Sequence, residues 1–259
     1  ELQQVAVCER YGLYTMQRLD ISHLMFGYKS NIRTNSKPKN KESTADEITK
    51  TEQKAQIMSA DFSKLAKNTN NDELKSLYEY FDSEIPSYTN EYTGMFKGYN
   101  IIFITAESFS QYAIDKDLTP TLWKMYNEGF QFENYYSPAW GVSTTDGEYP
   151  NLTGLIPKSG VWSFSKSAEN NVSFPFTLGE QSRKLGCKTV NAYHNHTYDY
   201  YDRDKYLTNI GYDYSAIGKG LDLGENVWPN SDLKMMQKTV DDYINSDSFS
   251  VYYMTVSGH

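Results

Sequence analysis

Five short stretches of the chain carry side chains able to do phosphoryl or metal chemistry. Ala106-Glu107-Ser108-Phe109 places a carboxylate directly after an apolar run. Gly141-Val142-Ser143-Thr144-Thr145-Asp146-Gly147-Glu148 carries three consecutive hydroxyls and two acids. Acids belong in the first turn of a helix. A hydroxyl at a helix N-terminus can also attack phosphorus: a metal would lower its pKa, and the backbone amides would face the phosphate oxygens. His194-Asn195-His196 puts two imidazoles on one face of an extended segment, and Tyr201-Asp202-Arg203 follows. Arg grips a phosphate with a bidentate fork. His259 closes the chain after Ser257-Gly258. Each feature has a plainer reading: a solvated carboxylate, a helix cap, packing histidines, a surface ion pair, a boundary residue.

The elements around these stretches give them a common location. Tyr99-Asn100-Ile101-Ile102-Phe103-Ile104-Thr105-Ala106 is a continuous apolar, β-branched run, expected as a strand buried on both faces of a parallel sheet. Thr119-Pro120 opens a helix, with Thr as cap and Pro in the first turn, and Gly129 closes it. A second helix is expected from Ser173 and Pro175 to Gly186, then a strand over Cys187–Tyr193. Ser231 and Asp232 cap a third helix, with Leu233, Met236, Val240 and Tyr243 at helical spacing. Phe249–Val256 is a third buried strand. Strands alternating with helices predict a doubly wound α/β sheet, whose ligands bind beyond the carboxyl ends of the strands. Glu107, His194 with His196, and His259 each follow one such end. A carboxylate and imidazoles on one rim suit a divalent metal or an anionic substrate.

Composition narrows the classes further. The 259 residues suffice for one large domain or two small ones. The net charge of −8, without a basic stripe, argues against nucleic acid. The 23 Tyr suit clefts and polar-lipid or carbohydrate surfaces. No segment reaches the ~20 apolar residues that span a bilayer. Cys8 and Cys187 are too few for a disulfide framework and are expected as unpaired, buried thiols. Residues 31–56 are polar and expected as a connector, and residues 57–98 hold short helical patterns.

Taken in order, these motifs resemble the lipoteichoic acid synthase and phosphoglycerol transferase family of the alkaline phosphatase–sulfatase superfamily. The resemblance starts at Tyr92-Thr93-Gly94-Met95-Phe96-Lys97-Gly98-Tyr99-Asn100 and covers roughly residues 90–259. It implies an alkaline phosphatase/sulfatase-like doubly wound sheet. It implies Glu107 as a metal ligand, Thr144 as nucleophile and second metal contact, and His194, Tyr201, Arg203 and His259 as substrate-binding residues. Ser143 stands where the family has Lys, which keeps Thr145 as a rival nucleophile, and Tyr201 stands where it has Trp. The family's Asp-His metal pair is expected beyond residue 259. The carboxy-terminal part of the domain would then be missing, and this chain alone would hold manganese or magnesium weakly and be inactive. Residues 1–90 would be a linker and helical segment after an upstream membrane region, and 91–259 the amino-terminal part of the catalytic domain. The implied reaction moves phosphoglycerol from an anionic phospholipid, such as phosphatidylglycerol, to a glycerol-phosphate polymer or glycolipid on the extracytoplasmic face of the cell membrane. A phosphodiesterase or sulfatase of the superfamily, or a non-catalytic surface ligand-binding domain, are the rivals. The Cys/Ser-X-Pro-X-Arg setting of a sulfatase is absent from the sequence.

Overall fold

The strand with the densest run of large apolar side chains forms the middle of the molecule. In a computed structural model, β5 (Phe249–Met254) is buried at every position. It lies between β1 (Ile101–Thr105) and β2 (Thr189–Thr197), and β3 (Asp213–Ile217) and the two-residue β4 (Gly220–Leu221) extend the sheet in the order β1-β5-β2-β3-β4. β1, β5, β2 and β3 run parallel. The structure describes residues 53–57, 60–132, 134–136, 144–170, 172, 174–224 and 227–259. Cys8, Ser143, Ser173 and the connector before residue 53 lie outside them. Gln53–His259 forms one compact unit.

Successive residues of a strand point to opposite faces, and both faces here are apolar. Tyr252 and Met254, with Val190 and Ala192 of β2, enter one cluster. The helices α4 (Thr144–Thr153), α5 (Ser163–Glu169) and α7 (Arg203–Asn209) supply its Leu152, Phe164, Tyr206 and Leu207, and Phe164 stacks on Tyr206 at 4.3 Å. Phe249, Val251 and Tyr253, with Tyr193, pack on the opposite face against Met235 of α8 (Asp232–Thr239) and Tyr243. Each such fully buried side chain contributes about 1.5–3 kcal/mol. Helices on both faces make the sheet doubly wound, as expected. Seven of the tyrosines (193, 206, 212, 214, 243, 252 and 253) are core residues rather than cleft residues.

Several local expectations shift. β1 is a strand, but among the described residues it lies at the sheet edge and pairs only with β5. Its Ile102 and Ile104 are 50% and 48% exposed, so it is not buried on both faces. Leu122, Trp123, Met125 and Tyr126 of the following α3 (Pro120–Glu128) are exposed too. Thr119 occupies the cap position of α3, but its hydroxyl donates to the Ala113 carbonyl instead of capping the helix. α6 (Leu178–Lys184) starts at Thr177, after Pro175 and Phe176 form a turn. α8 is capped by Ser231, whose hydroxyl accepts from Lys234 N–H. It buries Met235 and Thr239, while Leu233 is exposed. Near the start of the unit, α1 (Phe62–Asn68) and α2 (Asp72–Ser83) are capped by Asp61 and Asn71 and meet through a Phe62–Phe81 stack. Cys187 is a free, half-buried thiol.

One glycine is needed where α6 meets the α7–β3 turn. Gly211 has φ +99°, and a Cβ there would lie 2.5 Å from Glu180 N and 2.7 Å from Gly179 C. Gly211→Ala is expected to cost about 2–4 kcal/mol, from strain plus overlap with backbone. Gly186→Ala, with φ +85° but open space, should cost only about 1–2 kcal/mol. Urea denaturation of the two variants checks this, and equal losses would contradict the close approach.

Candidate active site

Parallel strands that pair in register end at one edge, so the residues after them meet. Thr105 of β1 pairs with Met254 of β5. The chain continues two residues past β1 to Glu107 and five past β5 to His259. There His259 Nε2 lies 2.6 Å from Glu107 Oε2. Ser108 donates its hydroxyl to the same oxygen at 2.8 Å, and Glu107 N–H donates to Thr255 Oγ1 at 3.1 Å. A Cβ at Gly258 would sit 2.7 Å from the Glu107 carbonyl, so the two loops can only approach this closely with glycine there. Thr144 opens α4, and its Oγ1 lies 3.4 Å from Glu107 Oε1. Thr145 beside it is buried at 4% exposure. Of the two neighbouring threonine hydroxyls, it is therefore that of Thr144 which meets the carboxylate.

A buried polar layer lies beneath. β2 runs through both histidines to Thr197, so His194 and His196 are part of the strand and not beyond its end. The period of two places them on one face, with ring centroids 5.8 Å apart and nearly parallel. His194 is 2% exposed. Its Nδ1 lies 3.2 Å from the Met254 carbonyl, which can only accept, so Nδ1 carries the proton. Nε2 is then the lone pair, and it faces Arg203 Nη1 at 3.4 Å. Burial first, and the Arg203 charge second, hold the His194 imidazole well below its ordinary pKa.

Arg203 is 1% exposed and paired with Glu148, which is fully buried. Its Nη2 donates to Glu148 Oε2 at 2.6 Å. The same carboxylate accepts from the Tyr206 hydroxyl at 3.1 Å and the Tyr252 hydroxyl at 2.7 Å. Burial alone would favour loss of the Arg203 charge, but Glu148 offsets this and holds the guanidinium above its ordinary range. Tyr206 and Tyr252 are pushed well above the usual tyrosine range, chiefly by burial, and stay neutral donors. Glu148 stands four residues after Thr144 in α4, the spacing that puts both on one helix face.

An outer aromatic layer completes the arrangement. His196 stacks on Tyr200 at 4.1 Å and meets Trp228 edge-on at 5.1 Å, and Trp228 lies 5.4 Å from His259. Tyr201 packs between Tyr200 and Trp162. On the opposite face of β2, Asn195 donates to Asp232 Oδ1 at 2.8 Å, and Asp232 accepts from Val256 and Ser257 N–H. This knot joins the end of β2 to the loop that carries His259. Glu148 and Trp228 were given no role on sequence grounds, and His196 only as a second imidazole on the rim.

The depressed histidines carry a pH consequence. The unfolded chain takes up a proton on His194 near about pH 6.5, and the folded chain resists it. His194 therefore contributes stability above that pH and loses it as pH falls. His196, lowered by burial and then by Arg203, acts in the same direction. The free energy of urea unfolding is expected to fall between about pH 7.5 and pH 5.5, with a shallower fall in His194→Asn. An unchanged slope in that variant would contradict the buried, neutral His194.

Among the described residues no group of three or more His, Cys, Asp or Glu can hold a metal ion. Glu107 and Thr144 offer two oxygen donors, and one Glu107 oxygen already faces His259. Magnesium and manganese take about six ligands, so these residues make only part of a coordination sphere. No helix among the described residues is long and apolar enough to cross a membrane.

Comparison with known proteins agrees with the motif resemblance. No family model matches the chain. It is 27% identical over 204 residues to a lipoteichoic acid synthase of Staphylococcus saprophyticus, covering 73% of this chain and 31% of that protein. It is 27% identical over 153 residues to lipoteichoic acid synthase 2 of Bacillus subtilis, covering 56% of this chain and 23% of that protein. The crystal structure of the lipoteichoic acid synthase LtaP from Listeria monocytogenes matches with a TM-score of 0.56 and 23% identity, over 65% of this chain and 43% of that one. The chain thus spans about a quarter to a third of the length of these curated relatives. The fold is the alkaline phosphatase/sulfatase-like α/β fold expected from the sequence, and the resemblance to the lipoteichoic acid synthases holds in both sequence and structure.

Proposed function

We propose that this relative of the lipoteichoic acid synthases is the nucleophile-bearing part of a phosphoglycerol transferase working at the extracytoplasmic face of a cell membrane. The observation that carries this reading is the Thr144 hydroxyl, at the start of a helix and 3.4 Å from the Glu107 carboxylate. In the intact protein, Thr144 Oγ1 attacks the phosphorus of an anionic phospholipid such as phosphatidylglycerol. A Thr–O–P bond forms, the P–O bond to diacylglycerol breaks, and the threonine proton ends on the departing diacylglycerol. Glu107 Oε1 faces the hydroxyl and can carry that proton in transit. A hydroxyl of a glycerol-phosphate polymer or glycolipid then attacks the same phosphorus, and its proton returns to Thr144.

The other residues bind and orient. His259 and the Tyr201 ring stand at the open side and hold the phosphoglycerol group. Arg203 and His194 act from beneath: the guanidinium supplies positive potential under the phosphate, tempered by Glu148, and His194 stays uncharged. A magnesium or manganese ion, bound by Glu107 and Thr144 with further donors, would lower the pKa of the threonine hydroxyl and offset phosphate charge.

Diacylglycerol release from fluorescent phosphatidylglycerol vesicles by the intact protein tests the reading. Release is expected with manganese and lost with a chelator. The 259-residue chain alone is expected to bind manganese no more tightly than about 10⁻³ M. Release that is indifferent to the chelator, or micromolar manganese binding by this chain, would contradict the assignment.

A further inference from the structure

An acid in the first turn of a helix ordinarily serves that helix. In α8 Ser231 takes the capping place, accepting from Lys234 N–H, and the carboxylate of Asp232 turns to another segment. After β5 the chain makes a turn over Val256–His259, in which His259 N–H donates to the Val256 carbonyl at 3.1 Å. Asp232 Oδ2 accepts from Ser257 N–H at 2.8 Å, and its Oδ1 accepts from Val256 N–H at 3.0 Å and from Asn195 Nδ2 at 2.8 Å. Ser257 returns the contact: its hydroxyl accepts from Asp232 N–H at 2.8 Å and donates to the Asn230 carbonyl at 3.0 Å. The buried Asn230 donates its Nδ2 to the Asn195 carbonyl at 3.0 Å, which fastens this segment to β2. Two residues earlier, Trp228 sets its ring 5.4 Å from that of His259. Residues 228–232 thus cradle the turn that carries the histidine.

We propose that Asp232 is a positioning residue for His259: by holding the Val256–His259 turn, it sets the imidazole against Glu107 and the incoming phosphoglycerol group. The part that concerns phosphoglycerol rests on the transferase reading. The placement of His259 against Glu107 and Trp228 does not.

Two anchors hold the turn. Thr255 ties its start to β1, since Thr255 Oγ1 accepts from Glu107 N–H at 3.1 Å. Asp232 then holds the next two residues through their amides. Gly258 follows, and its backbone freedom would spread the exposed His259 over many positions if Val256 and Ser257 were loose. The site also demands a carboxylate. Both Asp232 oxygens face N–H donors, so Asn at this position would set its NH₂ group against a donor in either orientation. A residue that only stabilised α8 would have no such requirement, because Asn serves the start of a helix about as well as Asp.

Two measurements test this. The first reads placement in the 259-residue chain by NMR, through NOEs between the His259 imidazole and the Trp228 indole. These are expected in the unaltered chain, lost in Asp232→Asn, and kept in Asp222→Asn, whose carboxylate is exposed and accepts from Gly224 N–H. NOEs between the stacked Phe164 and Tyr206 rings should persist in every variant and show that the core is folded. The second reads diacylglycerol release by the intact protein against phosphatidylglycerol concentration. Asp232→Asn is expected to raise KM about tenfold, the scale of one hydrogen bond to a charged group, with kcat within about twofold. In a His259→Ala background the same substitution should change KM by less than about twofold, because the residue it positions is gone. Ser257→Ala keeps the Ser257 amide and removes only the hydroxyl; it should weaken the His259–Trp228 NOEs and raise KM about threefold. It carries both readouts if Asp232→Asn fails to fold. His259–Trp228 NOEs unchanged in both variants, or a KM rise that is equal with and without His259, would overturn the proposal. Loss of the NOEs with His259→Ala leaving KM unchanged keeps the positioning and removes His259 from phosphoglycerol binding. With no release at all from the intact protein the transferase reading falls, and the NOEs alone decide the positioning.

Discussion

Thr144→Ala is expected to reduce phosphoglycerol transfer by the intact protein about 10⁴- to 10⁶-fold, the range seen when a covalent nucleophile is removed. The loss should fall on the rate and leave donor binding nearly intact, because the groups that hold the phosphate lie elsewhere. Thr144→Ser keeps an attacking hydroxyl and should retain measurable transfer. Thr145→Ala should retain most of it, since the Thr145 side chain is buried while Thr144 faces Glu107. Initial rates of diacylglycerol release for the three variants decide between the neighbouring hydroxyls. A Thr145→Ala enzyme as inactive as Thr144→Ala, with Thr144→Ser also inactive, would move the nucleophile.

Glu148→Ala is expected to destabilise the chain by about 3–5 kcal/mol, a large share of the about 5–15 kcal/mol that holds a domain folded. The substitution removes both hydrogen-bonded contacts to Arg203 and the acceptor of the Tyr206 and Tyr252 hydroxyls. It leaves a guanidinium of 1% exposure with no opposing carboxylate. Desolvation, not lost attraction, sets the size of the effect, and this can be separated experimentally. Replacing both partners, Glu148→Met with Arg203→Met, removes the buried charge altogether and should recover most of the stability. Urea unfolding of the two single variants and the double variant gives the coupling energy. A Glu148→Ala loss below about 1 kcal/mol would mean that the pair is solvated in solution.

Sheet and site differed in how far they could be read from the sequence. β2 and β5 announce themselves because runs such as Phe249-Ser250-Val251-Tyr252-Tyr253-Met254 have no other stable use than a strand covered on both sides. The Ile-rich β1 looks the same in sequence, yet it lies at the edge with Ile102 and Ile104 half exposed. Apolar content marks a strand but not its neighbours. The start of α6 was misplaced because Ser173 and Pro175 carry start signals of the same kind as Thr177, and the turn through Phe176 depends on tertiary contacts. The rim formed by Glu107 and His259 was foreseeable from parallel strand ends alone. The burial of Arg203 was not: its partner Glu148 stands 55 residues away, and an Arg flanked by Asp202 and Asp204 reads as a surface ion pair. Glu148 itself was visible only as an acid in the first turns of a helix.

The pairing of Glu148 with Arg203 also sharpens the account of phosphate binding. A guanidinium already held by a carboxylate presents less net charge upward than a free one. In the proposed reaction, the Thr144–Glu107–His259 edge is therefore where an incoming phosphoglycerol group would meet accessible side chains, with His259 42% exposed and Glu107 14%.

The central claim is that Thr144 carries the phosphoglycerol group between donor and acceptor. The direct measurement is peptide mapping by mass spectrometry after the intact protein is mixed with phosphatidylglycerol and manganese without acceptor, then quenched in acid. A phosphoglycerol adduct is expected on the peptide containing Thr144, absent from Thr144→Ala and present on Thr145→Ala. An adduct that persists on the Thr144→Ala protein, or one that maps to another residue, would contradict it.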